Sequence, residues 1–180
     1  MRDGRPVLVV VGGLPATGKS TIADQLARLV GAPFVRVDRI EQAIVAYSPL
    51  EHPIGAAGYA VAYALASEQL RLGLDVIVEC VNPIALTRDS WAATAIDAGA
   101  GIVEVEVICS DLAEHRRRVL TRVTDVEGLV KPTWAEVVGR EYHPWSRPHL
   151  TIDSSVTSPA EAAERIVTHM LAVRPEPSST

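Results

Sequence analysis

The chain has 180 residues, with 22 acidic and 17 basic side chains and a net charge of −5 at neutral pH. Its apolar fraction of 48% excludes a disordered polymer, and the scatter of those residues along the chain excludes a membrane span. The acidic balance argues against an extended nucleic-acid surface, which carries a basic excess.

The length suits one domain, expected over residues 1–173, followed by a flexible tail from 174 to 180. Ala and Val contribute 24 residues each and aromatics only 4%, so small and branched aliphatics are expected to build the core. The cations are fifteen Arg and two Lys, Lys19 and Lys131, which makes the place of each lysine informative. Cys80 and Cys109 are too few for a disulfide framework or a zinc site. Met1–Pro6 shows no charged-then-apolar leader, so a cytoplasmic location is the default expectation.

Apolar, β-branched runs predict strands at Val7–Val11, Phe34–Val37, Val76–Val78, Ile102–Ile108 and Leu150–Ile152. Between them, helical spacing predicts helices at Ser20–Val30, from Arg39, over Gly55–Leu72, from Pro83, from Asp111 to Val123 and over Trp134–Tyr142. Ser158 and Pro159 are placed as cap and first residue of a last helix, Ala160–Val173. Alternating strands and helices predict an α/β fold with a parallel sheet covered on both faces. Thr124–Thr133 contains Gly128 and Pro132, lacks a period and reads as a mobile loop.

The first strand leads into Gly13-Leu14-Pro15-Ala16-Thr17-Gly18-Lys19-Ser20, a complete G-x-x-x-x-G-K-[ST] pattern between a strand and an amphipathic helix. Such a loop turns successive backbone N–H groups toward one point, and the new helix adds its unpaired N–H groups and positive dipole end. Lys19 supplies a cation for the outer phosphates, Ser20 a hydroxyl for Mg²⁺, and Thr21 is placed to reach the α-phosphate. Nucleoside-triphosphate binding follows, with ATP and Mg²⁺ as the expected cofactors.

Together with Asp38-Arg39 after the second strand and an acidic residue with Asn82 after the third, this loop resembles the small P-loop kinases. That group includes chloramphenicol phosphotransferase, zeta-toxin-like kinases, the kinase half of polynucleotide kinase and AAA-type ATP-binding proteins. The resemblance spans Val7 to Val173. It implies a P-loop NTPase fold with a five-stranded parallel sheet of order 2-3-1-4-5, a small lid at 124–133, and phosphoryl transfer from ATP to a hydroxyl. With that order Cys80 and Cys109 stand two strand spacings apart, about 9–10 Å, beyond disulfide reach.

Asp38 lies at the carboxyl end of its strand, where open α/β sheets bind ligands, and can take the proton of an attacking hydroxyl. It could equally cap the following helix. Arg39 would help hold the acceptor, or pair with Glu41 or Glu51 at the surface. Glu79 closes the third strand where the resembling kinases carry a Walker B aspartate, so it would face either Mg²⁺ or the acceptor. Asn82 fits a helix cap better than a substrate contact.

Leu112, Val119, Leu120 and Val123 are expected to form the buried arc of the helix after Asp111, with Arg116 inside that arc. Arg118 and Arg122 would stand one turn apart on its edge. This spacing before the loop resembles the lid entrance of adenylate-kinase-like proteins, which implies that Arg118 lies against adenine and Arg122 reaches the phosphates. A basic helix face paired to Glu114 is the plainer alternative. Lys131 would meet phosphate on closure or remain an exposed loop charge. Asp153 would lie near the base or cap a turn. Tyr59, with Tyr63 and His52, could shape the acceptor site or pack the core; Trp91, Trp134 and Trp145 read as packing residues.

The reading is a cytoplasmic kinase acting on a hydroxyl of a small-molecule acceptor (an antibiotic, nucleoside or sugar-like molecule), possessing neither a nucleic-acid partner nor a membrane anchor, with its oligomeric state open. Asp38, Lys19 and Arg122 are the catalytic candidates. A nucleotide-dependent switch and a polynucleotide or sugar-nucleotide kinase are the alternatives.

Overall fold

The computed structural model describes residues 4–123, 128 and 130–174. Of the expected loop and tail, residues 124–127, 129 and 175–180 lie outside the described residues. In chain order the elements are β1 (Val7–Gly12), α1 (Lys19–Val30), β2 (Phe34–Arg36), α2 (Val37–Tyr47), α3 (Ala57–Arg71) and β3 (Val76–Glu79). They continue with α4 (Ala85–Asp97), β4 (Gly101–Ile108), α5 (Leu112–Thr121), α6 (Trp134–Val138), β5 (Leu150–Asp153) and α7 (Pro159–Val173).

The five strands form one parallel sheet in the order β2-β3-β1-β4-β5, as the resemblance implies. Every residue of β1 is buried, which is what a central strand covered on both faces requires. Side chains alternate along it. Val7, Val9 and Val11 meet Ile22 and Leu26 of α1 and Ala163 and Ile166 of α7, while Leu8 and Val10 meet Ala62 and Ala66 of α3 and Trp91 of α4. The small alanines let these helices approach the sheet closely, so the Ala/Val-rich composition is expressed directly in the core. Cys80 and Cys109 are buried free thiols, and β1 separates the strands they follow.

Several helix ends differ from expectation. β2 stops at Arg36, and α2 starts at Val37, so Asp38 lies in the first helical turn while Arg36 holds the cap position. Helix α5 ends at Thr121 rather than Val123, and Gly139 stops α6 before Tyr142. Of the expected arc of α5, Val119 is buried, but Leu112, Leu120 and Val123 are exposed, and His115 joins Val119 on the buried side. Among the described residues no helix is long and apolar enough to cross a membrane.

Candidate active site

The phosphate loop joins β1 to α1 and is braced from three directions. Gly13 takes φ 145°, and a Cβ there would lie 2.3 Å from the Val107 carbonyl oxygen, so only glycine fits between loop and sheet. Its N–H donates to the Val81 carbonyl at 3.1 Å. Thr17 Oγ1 donates to the Leu14 carbonyl at 2.9 Å and closes the loop on itself. From outside, buried His115 of α5 places Nε2 2.9 Å from the Pro15 carbonyl and meets Trp134 edge-on. Gly18 caps α1 with φ 94°, which leaves the first N–H groups of the helix facing the cleft.

A chain of alternating charges runs behind this loop. Lys19 Nζ lies 3.4 Å from Glu79 Oε1, Arg36 Nε lies 3.0 Å from Glu79 Oε2, and Arg36 Nη2 lies 3.5 Å from Asp38 Oδ2. Glu79 is only 2% exposed, so its pairing with both cations is what permits a carboxylate there. Asp38 differs. Its Oδ1 is buried with no hydrogen-bond partner among the described residues. Burial first, and the nearby Glu79 charge second, push its carboxyl above the usual carboxylate range, while Arg36 and Lys19 pull it back.

Two hollows meet at this chain of charges. The larger, a cleft of about 630 Å³, runs from Pro15, Ala16 and Ser20 past Arg118 and Arg122. The smaller, about 150 Å³, is walled by Val37, Tyr59, Cys80, Val81 and Pro83. Lys19, Asp38, Glu41, Val81 and Arg140 line both.

A family model described as an AAA domain (AAA_33) matches residues 8–136. The chain belongs to the AAA domain family. No curated protein sequence matches it. Among solved structures it is similar to the Mycobacterium tuberculosis APS kinase CysC in complex with AMPPNP and APS, with 21% identity, a TM-score of 0.70, and 94% and 99% of the two chains covered. It is also similar to a gluconokinase from Sinorhizobium meliloti 1021, at 17% identity and a TM-score of 0.64, covering 96% of this chain and 95% of that one. Kti12 from Chaetomium thermophilum, in complex with ADP-AlF3, follows at 18% identity and a TM-score of 0.66, with 93% and 99% covered. At these identities the likeness is one of fold, and the fold of this AAA-domain chain is that of the small P-loop kinases.

Within this AAA domain the remaining candidate residues fall into three groups. Arg118 is fixed in place: Nε donates to Glu114 at 2.7 Å, Nη1 to Ser154 Oγ at 2.8 Å and Nη2 to the Ser154 carbonyl at 3.2 Å. Hydrogen bonds from Arg117 first and Arg118 second lower the pKa of the Glu114 carboxyl to about 2. Arg122, the C-terminal cap of α5, lines the larger cleft, and its guanidinium makes no hydrogen bond or ion pair among the described residues. Lys131 donates to the Arg122 carbonyl at 3.1 Å and is exposed.

Tyr59 walls the smaller hollow, and its hydroxyl accepts the Asn82 N–H at 3.0 Å. Tyr63 instead packs edge-on against Trp91 in the core, and His52 lies near Gln42. Arg39 is not brought to the cleft; it lines a separate hollow with Arg28, Ile40 and Gln69. Asn82 is not a helix cap, since Ile84 holds that position in α4. It takes φ 53°, and its fully buried amide has no partner among the described residues. Asp153 accepts from the hydroxyls and the N–H groups of Ser110 and Ser155 and so caps a turn; the Ser110 hydroxyl first, then that of Ser155, pull its carboxyl well below the usual range.

Four positions carry more of the site than their sequence context suggests. Arg36 reaches Glu79 because the strand register sets them side by side. His115 anchors the phosphate loop. Arg88 is 3% exposed and donates to the carbonyls of Asn82, Pro83, His143 and Pro144, while its guanidinium covers Trp145 at 4.1 Å. It thereby ties the end of β3 to the segment after α6. Glu41 is the fourth.

A nucleotide with its magnesium fits the donor set. The loop offers backbone N–H groups, and Ser20 sets a hydroxyl at the cleft. Among the described residues no group of three or more His, Cys, Asp or Glu could hold a metal, so phosphate oxygens and water would provide most of a cation's ligands. Glu79 fits direct metal ligation poorly, because Lys19 and Arg36 engage both of its oxygens.

Proposed function

We propose that the protein is an ATP-dependent kinase that transfers the γ-phosphoryl group to a hydroxyl of a small molecule. The observation that carries this reading is the meeting of the two hollows at Lys19 and Asp38. A nucleotide lying on the loop presents its outermost phosphate at that junction. An acceptor in the smaller hollow presents its hydroxyl to Asp38 from the other side, which is the in-line arrangement phosphoryl transfer requires. The size of that hollow, about 150 Å³, favours a small molecule over a polymer end.

Each side chain then has a task. Backbone N–H groups of Ala16 and of Gly18 to Thr21 hold the phosphates, and Lys19 leaves Glu79 for the outer ones. Ser20 would hold Mg²⁺, which supplies charge neutralisation between the phosphates. Asp38 accepts the hydroxyl proton as the new P–O bond forms and the bond to the β-phosphate oxygen breaks. Glu79 keeps Arg36 in place, and Arg36 orients Asp38. Arg118 offers a flat guanidinium face to the base, and Arg122 brings positive charge to the phosphates. Val130 and Pro132, at the edge of the larger cleft, would help to exclude water from them. Tyr59 forms the wall against which the acceptor rests.

The test is ATP consumption measured over a panel of hydroxylated small molecules. Acceptor-dependent consumption supports the kinase; a nucleotide-driven switch would consume ATP at the same rate with every compound.

A further inference from the structure

We infer that Glu41 is a second acceptor-binding carboxylate, seated by Gly58, and that it selects acceptors carrying a second hydrogen-bond donor one helical turn from the hydroxyl that Asp38 receives. The inference rests on the kinase reading above and names what that site recognises.

Glu41 follows Asp38 by three residues on α2, so the two side chains rise from one face with roughly 5–6 Å between their Cβ atoms. Both line the smaller hollow. Glu41 is half-buried, yet it makes no hydrogen bond or ion pair among the described residues; only the more distant charges of His52, Arg140 and Asp38 act on it. Withdrawing a carboxylate from water without giving it a donor is unfavourable, and burial accordingly raises its carboxyl above the ordinary value.

The neighbouring helix makes room for this placement. Gly58 lies inside α3, and a Cβ there would stand 2.3 Å from Glu41 Cγ and 3.0 Å from Oε1. A glycine in a helix costs about 0.5–1 kcal/mol relative to alanine. A Glu41 that served only as a surface charge would extend into water and need no such gap. The gap and the unpartnered carboxylate are separate observations about one side chain, and that side chain lines both hollows.

Ionised carboxylates only accept hydrogen bonds, so the occupant must bring the donors. Asp38 receives the attacked hydroxyl, and Glu41 receives a second donor a few ångströms away. Val37, Tyr59, Val81 and Pro83 supply the apolar wall for the carbon skeleton between them. A polyhydroxylated molecule meets these demands, and a simple monoalcohol does not. The second donor is a hydroxyl or an ammonium, which a neutral isostere of Glu41 distinguishes.

The experiment measures ATP-dependent phosphorylation of monosaccharides, their deoxy analogues and amino sugars by the full chain and three variants, with thermal melts to confirm folding. Glu41→Ala should raise the acceptor KM about tenfold or more, while nucleotide Kd stays within about twofold. Gly58→Ala should raise the acceptor KM likewise although the carboxylate is kept, because the new methyl group displaces it. Alanine also favours the helix, so folding is preserved. Glu41→Gln should cost a few-fold for a hydroxyl donor and about as much as alanine for an ammonium. Unchanged acceptor KM in both Glu41→Ala and Gly58→Ala, or equal losses for nucleotide and acceptor, would overturn the role of Glu41 alone. If the unmodified protein phosphorylates other hydroxylated small molecules but none of this panel, this inference fails alone; if it phosphorylates no hydroxylated molecule, the kinase reading fails and this inference with it.

Discussion

Lys19, the cation of the phosphate loop, lies 3.4 Å from Glu79 at the end of the neighbouring strand. The loop therefore holds its lysine against a buried carboxylate, and nucleotide phosphates must draw it away. Lys19→Ala should weaken nucleotide binding by roughly ten- to a hundredfold, the scale of a charge-assisted hydrogen bond at about 1.5–3 kcal/mol. Titration with a fluorescent ATP analogue checks this, and an unchanged Kd would remove Lys19 from the phosphate site.

The pH dependence of transfer should report on Asp38. An ionised Asp38 is the form that accepts a proton, so the rate falls as pH drops through its raised pKa. Burial and Glu79 raise that pKa, and Arg36 lowers it. Glu79→Gln should thus move the acid limb to lower pH and Arg36→Met should move it to higher pH, each by on the order of one pH unit. Shifts of the same sign in both variants would show that the limb belongs to another group.

Arg88 makes a prediction about stability rather than chemistry. Its guanidinium serves four carbonyls from two segments, at 2.7 Å to His143 and 3.2 Å to Asn82, Pro83 and Pro144. A lysine ammonium keeps the charge but cannot span that set. Arg88→Lys should lower unfolding free energy by about 1–3 kcal/mol through unsatisfied carbonyls. Acceptor binding should weaken as well, because Pro83 walls the smaller hollow. Denaturant unfolding and acceptor KM are the two readouts.

What could be read in the sequence follows from where each interaction is encoded. The phosphate loop is a local device, so its spacing alone specifies the strand, the turn and the helix that make it. Asp38 was legible because a carboxylate just beyond a strand stands at the ligand end of the sheet. Arg36 was not, since it meets Glu79 only through the β2–β3 register, across 43 residues of chain. The buried arc of α5 narrows to Val119 for a related reason. Its apolar residues suggested a covered face, but α5 lies beyond the sheet, with His115 turned to the loop and Leu112 and Leu120 left in water. Glu41 carried the right spacing from Asp38, yet its meaning depends on a gap at Gly58 in a different helix. Such gaps leave no periodic mark.

The central claim is that phosphate moves from ATP to an acceptor hydroxyl received by Asp38. Phosphorus NMR of ATP incubated with the protein and a hydroxylated acceptor tests it most directly. The account predicts a new phosphomonoester resonance growing as ADP forms, slowed about a hundredfold or more by Asp38→Asn at unchanged nucleotide affinity. Inorganic phosphate as the sole product, formed equally well by Asp38→Asn, would contradict it.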